Sequence, residues 1–128
     1  MFAPPPLRRT YEAAVRDLQS TRADVRASAA RDLGLVGDAR PREAADALAP
    51  LIDDGDANVR GAALTALGQL AARHLLDRIH PRFDDDDSRV RQMAVVAVAE
   101  TGGARALTLL REGLTHAQAD VRYQCLLG

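Results

Sequence analysis

The chain has no tryptophan, two tyrosines, two phenylalanines and one cysteine in 128 residues, and every one of its seventeen basic side chains is arginine. With aromatics at 3%, the bulk of any core must come from Ala, Leu, Val and Ile. Side chains that small suit closely approaching helices better than stacked sheets. Cys125 stands alone, which excludes an internal disulfide framework and fits a reducing, cytoplasmic setting. The opening "MFAPPPLRRTYEAA" lacks the apolar run of a signal peptide. No stretch approaches the ~20 apolar residues of a membrane helix. Eighteen acidic residues balance the arginines to a formal charge of −1. That balance lacks the basic excess of a dedicated nucleic-acid binder. The exclusive use of arginine, beside abundant Ala, Gly and Asp, reads as the codon bias of a GC-rich genome.

What is present is repetition. "DANVRGAALTALG" at 56–68 recurs as "ADVRASAARDLG" from Ala23, "SRVRQMAVVAVA" from Ser88 and "ADVRYQCLLG" from Ala119. The Val-Arg pairs fall at Val25-Arg26, Val59-Arg60, Val90-Arg91 and Val121-Arg122, spaced 34, 31 and 31 residues apart. A fixed period in this range marks a repeat array, whose units bury their apolar faces on one another. Four and eight positions after each valine come Ala29 and Leu33, Ala63 and Leu67, Ala94 and Val98, then Cys125, which line one helix face. Turns such as "DDGDAN" and "DDDDS" precede the valines and supply caps. Gly34 and Gly68 mark places where a helix bends or ends.

The segments before these turns repeat as well. "ADALAPLIDD" at 45–54 matches "LDRIHPRFDD" at 76–85. Ile52, Phe83 and Leu114 share one register, as do Leu48, Ile79 and Leu110. Pro50 and Pro81 should bend the helices that hold them. Each unit therefore reads as helix, turn, helix, with units of about 7–37, 38–71, 72–102 and 103–128 in one domain spanning 1–128. At the start, prolines give an extended lead-in. Leu7, Tyr11, Ala14 and Leu18 form an inward stripe, and Arg8, Arg9, Glu12, Arg16 and Asp17 face water as a terminal cap requires. At the other end Leu126 and Leu127 have little beyond them, as in a piece of a longer solenoid, and that edge is a further place for association.

The phrase "LAPLIDDGDANVRGAALTALG" and its weaker copies, over about residues 10–128, resemble the HEAT-like repeat family, in particular its short phycobilisome-lyase-type branch. The unit is shorter than the ~40 residues of the long HEAT repeat, and tetratricopeptide and ankyrin signatures are missing. The resemblance implies an all-α fold, a right-handed α-α superhelix of about four helical pairs. It also implies a ladder between neighbouring units, here formed by Arg26, Arg60, Arg91 and Arg122 with Asp54, Asp56, Asp85 and Asp87. A partly buried guanidinium needs such a partner. A row of phosphate ligands is the rival reading of the same arginines.

Chemistry-bearing motifs are scarce. An EF-hand loop starting at Asp84 needs Gly and Glu where Arg89 and Val95 stand. His74, His80 and His116 belong to no HExxH pattern, and Cys125 has no CxxC partner. Nucleophile elbows, phosphate loops and dinucleotide fingerprints are missing. We therefore expect no catalysis, no cofactor and no metal. The resemblance implies that second helices line the concave side, with free positions two, three and six after each valine. These are Ala27, Ser28 and Arg31, Gly61, Ala62 and Thr65, Gln92, Met93 and Val96, then Tyr123 and Gln124. Met, Tyr and amide side chains adapt to partners. The expected function is a non-catalytic scaffold that holds a protein partner on Gln92, Met93, Val96, Tyr123 and Gln124. The alternatives are a grip on a nucleic-acid backbone, known among some HEAT-like proteins, and a bilin lyase-like subunit.

Overall fold

A computed structural model describes residues 7–128, so the proline lead-in lies outside the described residues. The elements follow in order as α1 (Tyr11–Asp17), α2 (Ala23–Val36), α3 (Pro41–Leu48), α4 (Ala57–Gln69), α5 (Leu76–Ile79), α6 (Ser88–Thr101), α7 (Gly103–Gly113) and α8 (Ala119–Leu127). The even-numbered helices stack side by side, with α4 between α2 and α6, and α6 between α4 and α8. The odd-numbered helices pack on them as an outer layer, giving an all-α right-handed superhelix.

The turns decide where the second helices start. Asp56 Oδ1 accepts from the amides of Asn58 (2.8 Å) and Val59 (3.3 Å), and Asp87 Oδ1 repeats this with Arg89 (2.8 Å) and Val90 (3.3 Å). Each cap satisfies amides that the helix itself leaves unpaired. The α2 and α8 helices begin after Arg22 and Gln118 with no side-chain cap. Elsewhere, Thr10 caps α1, and Pro41 opens α3 at a position that needs no donor.

Pro50 and Pro81 act differently from the expected bend. The α-helix stops before each of them, at Leu48 and Ile79, and a tighter 3-10 turn takes over at Ala49–Asp53 and His80–Asp84. Proline has no N–H to bond back four residues, so the α-helix cannot continue through it. Ile52 and Phe83 end fully buried, but Leu114 in the same register is 41% exposed. The α7 helix has no proline, stays α-helical to Gly113, and leaves Leu114 at its cap.

Gly34 and Gly68 lie inside α2 and α4 and do not end them. A Cβ at Gly34 would lie 2.9 Å from Ala66 Cα, and one at Gly68 would lie 3.0 Å from Ala97 Cα. These glycines let α2 approach α4, and α4 approach α6. The end of α4 is instead set by Ala71, at φ 52 in the left-handed region. The α6 helix ends at Gly102 (φ 66), where the Arg73 Nε donates to the Thr101 carbonyl at 2.8 Å.

One apolar core runs the length of the stack, led by Leu33, Leu48, Leu64, Leu67, Ile79, Phe83, Val98 and Leu109. The N-terminal stripe is shorter than expected. Ala14 and Leu18 are buried and Tyr11 is partly so, but Leu7 is 98% exposed. Arg9, expected in water, folds onto α2 instead. Its guanidinium donates to Asp17 (2.8 Å), Ser28 (2.8 Å) and Asp32 (3.0 Å). Asp32 stands where α4 and α6 carry Ala66 and Ala97 against a preceding helix, so its charge needs a partner and Arg9 supplies it.

Candidate functional site

The arginine column and the second-helix face are the two features that carry polar chemistry. In the column, Arg26 Nε and Nη2 donate to both carboxylate oxygens of Asp54 (3.0 and 3.1 Å). Arg60 forks Asp85 in the same way, at 2.9 Å twice. Arg91 holds Asp120, with Nη2 at 2.8 Å from Oδ2. The third nitrogen of each arginine turns back on its own unit. Nη1 of Arg26, Arg60, Arg91 and Arg122 donates to the carbonyls of Ser20, Asp54, Asp85 and His116, each six residues upstream, at 2.8–2.9 Å. One guanidinium thus closes its own turn and clasps the next, as its planar fork allows.

Three of the residues expected in the ladder stand elsewhere. Asp56 and Asp87 are the helix caps described above; their oxygens face the first amides of α4 and α6 and receive no column arginine. Arg122 makes its turn contact but has no carboxylate among the described residues. Asp120, which the sequence reading missed, takes the third rung from inside the first turn of α8. No offset in the sequence marks it: Asp24 stands at the matching place in the phrase "ADVR" at 23–26 and pairs instead with Arg22.

The centre of the ladder is the most enclosed. Asp85 is 4% exposed and Arg60 9%. Asp85 also accepts from Arg82 Nη1 (3.1 Å) and from the Asp87 amide (3.0 Å). Burial pushes its carboxyl up, but the Arg60 fork and the Asp87 amide outweigh burial and hold it at about 2. Asp54 is likewise pushed up by burial and drawn below the usual carboxylate range by Arg26. Asp120 is lowered by its hydrogen bonds from Arg91. Outside the column, His74 meets Asp46 (2.7 Å) and His116 meets Asp84 (2.6 Å), so two of the three histidines link neighbouring units. No cluster of three or more His, Cys, Asp or Glu that could hold a metal ion occurs among the described residues.

The second-helix face carries the expected contact residues but divides them between two grooves. Gln92 and Met93 line a groove of about 340 Å³ between α4 and α6, together with Gly61 and Thr65. Val96 and Gln124 line one of about 300 Å³ between α6 and α8. Tyr123 is 63% exposed and lines neither. Met93 is half-buried, with its sulfur 3.4 Å from Thr65 Oγ1. Ala27 and Ala62, expected as free positions, are buried at 3% and 5% because the neighbouring helices approach so closely. Neither groove holds a nucleophile beside a base. Cys125 is buried, which raises its thiol pKa, and a Cβ added at Gly113 would collide with its sulfur.

The family model for HEAT repeats matches residues 12–77 and again 45–127. No curated protein matches the sequence. Among solved structures, an engineered protein superposes with a TM-score of 0.70 at 21% identity, over 90% of this chain and 59% of its own. A second engineered protein gives 0.70 and 21% over 91% of this chain and 36% of its own. The complex of CpcE and CpcF of phycocyanin lyase from Nostoc sp. PCC7120 gives 0.65 and 20%, over 98% of this chain and 65% of that one. The chain thus spans less than two thirds of each of these structures, and identities this low speak for the fold alone.

Proposed function

The chain belongs to the HEAT-repeat family, and from that premise we propose that it is a non-catalytic scaffold which binds a protein partner on the face of its second helices. The observation that carries this reading is the row of half-buried, uncharged side chains there. Gln92, Met93, Val96 and Gln124 line open grooves and are not needed by the ladder. Side chains already held in place lose little further entropy on binding. Thioether, amide and aromatic groups suit a protein surface. The whole chain serves as one repeat domain in this reading. The engagement of Arg26, Arg60 and Arg91 by aspartates weighs against the phosphate-row alternative, because those forks are already filled. A bilin lyase-like role is supported only by likeness of fold to the phycocyanin lyase complex.

The test is affinity capture with the wild type and with the Met93→Ala, Tyr123→Ala double variant. We expect the variant to keep its helical circular dichroism and its cooperative melt, while losing a partner that the wild type retains at moderate salt. A variant that unfolds, or one that keeps the partner, would sink the reading. Recovery that is nuclease-sensitive and vanishes as salt rises would move the function to nucleic acid.

A further inference from the structure

Gly61 is a glycine without a structural reason. It sits in the middle of α4 with ordinary helical backbone, and a Cβ placed there would meet only Met93 Cγ, at 4.0 Å. Gly34 and Gly68 differ from it, since at those positions a Cβ would press on a neighbouring backbone. A mid-helix glycine is destabilising relative to alanine. Its absent side chain leaves the floor of the α4–α6 groove low, so that another backbone can come close. Ala57 and Met93 complete an apolar floor.

The groove's edges carry two arginines against one carboxylate, a net positive charge. Arg31 projects from α2, is exposed, and forms no ion pair among the described residues; its sequence neighbour Asp32 is held by Arg9. Arg89 stands on the opposite edge with its side chain 72% exposed, and touches only Asp87, at 3.4 Å. Asp87, the one carboxylate of the lining among the described residues, is engaged by the first amides of α6 and by Arg89. Asn58 and Gln92 add amide groups that both donate and accept, as a peptide backbone requires. Among the described residues no aromatic ring lines the groove to stack a nucleobase, and two arginines are few for a phosphate backbone.

We propose that this groove receives a short acidic segment of a partner protein, laid in extended form across Gly61 with its carboxylates on Arg31 and Arg89. The proposal rests on the scaffold reading above and gives the partner its chemistry. Glu or Asp side chains pair with the two guanidinium groups, the segment's backbone bonds Asn58 and Gln92, and one apolar side chain lies on Met93. A basic segment would meet repulsion at both edges.

The test is a titration of the isotope-labelled chain, followed by amide chemical shifts at low ionic strength. The probes are the acetylated peptide Glu-Ala-Glu-Leu-Glu-Ala, its lysine counterpart and oligodeoxythymidine. The acidic peptide should shift the amides of Gly61, Thr65, Gln92 and Met93, and the lysine peptide should leave them in place. Replacing both Arg31 and Arg89 by Glu should weaken the acidic peptide about tenfold or more. Gly61→Leu should block it while raising the melting temperature by about 3 °C, a gain that shows the variant to be folded. Silent groove amides with the acidic peptide, equal shifts with the lysine peptide, or the same shifts with the oligonucleotide would each overturn the proposal. If one of these occurs while Met93→Ala, Tyr123→Ala still loses its captured partner, the acidic chemistry fails and the scaffold reading stands.

Discussion

Arg60 and Arg122 occupy the same place in their units and make the same hydrogen bond to a carbonyl six residues upstream. Around Arg60 the next unit supplies Asp85 and closes the pair away from water, leaving the arginine 9% exposed. Around Arg122 no carboxylate answers among the described residues, and the side chain is exposed. Arg26 and Arg91 lie between these limits, with side chains 21% and 14% exposed over bidentate aspartates. One sequence motif thus yields pairs of different strength, because the value of a guanidinium depends on who desolvates it and with what. The two ends of the stack differ in the same sense. The first unit turns Asp32 and Arg9 against each other where its neighbours carry alanines, while the last presents Leu126 and Leu127 at 71% and 64% exposure.

The comparison can be broken most severely at its centre. Arg60→Ala leaves the buried Asp85 carboxylate with only Arg82 and the Asp87 amide, so chemical denaturation should show a loss of about 2–3 kcal/mol. Arg122→Ala, measured in parallel, should change stability by less than about 0.5 kcal/mol. Similar losses for the two would show that burial is not what separates them.

Acid is the next largest lever. Asp85 sits at about 2 in the folded chain against an ordinary value of 3.8. A depressed carboxylate stabilises the fold above its unfolded pKa and loses that contribution as pH falls through the folded one. Stability should therefore fall by about 2 kcal/mol between roughly pH 4 and pH 2 from this group alone. The fall should be shallower in Arg60→Ala, which lacks the fork. An acid limb of equal steepness in both proteins would place the titration elsewhere.

A gain smaller than either loss sharpens the contrast at the C-terminal unit. Gln118 precedes α8 in the extended conformation that Asp56 and Asp87 adopt before α4 and α6, but it makes no cap. Gln118→Asp should add about 1 kcal/mol to stability, read as a rise in melting temperature. No gain would mean that the end of the stack frays before the cap can act.

The distribution of carboxylates shows how far the site could be read in advance. Asp54 and Asp85 were expected because the family resemblance implies a ladder between the arginines and the aspartates of the turns. Asp120 was not, since the turns offer acids at several offsets and only the position of each helix selects among them. Asp56 and Asp87 look like ladder members in one dimension, yet their offset from the helix start aims them at amides. The contact residues were sorted along single helices, but grooves form between helices, so Gln92 and Met93 part from Val96 and Gln124. Gly61 was noted only as a free position, because whether a glycine is required depends on the atoms that would meet its Cβ.

The helical-pair architecture, its stacking and most of its core were already written in the primary structure. Periodic valine, alanine and leucine leave a chain this short no other way to bury its apolar surface, and local spacing suffices to show it. Which carboxylate answers which arginine, which glycine admits a neighbouring helix and which leaves a groove open were settled by assembly. Those outcomes depend on distances between residues about 25–30 positions apart, and such distances exist only once the helices have packed.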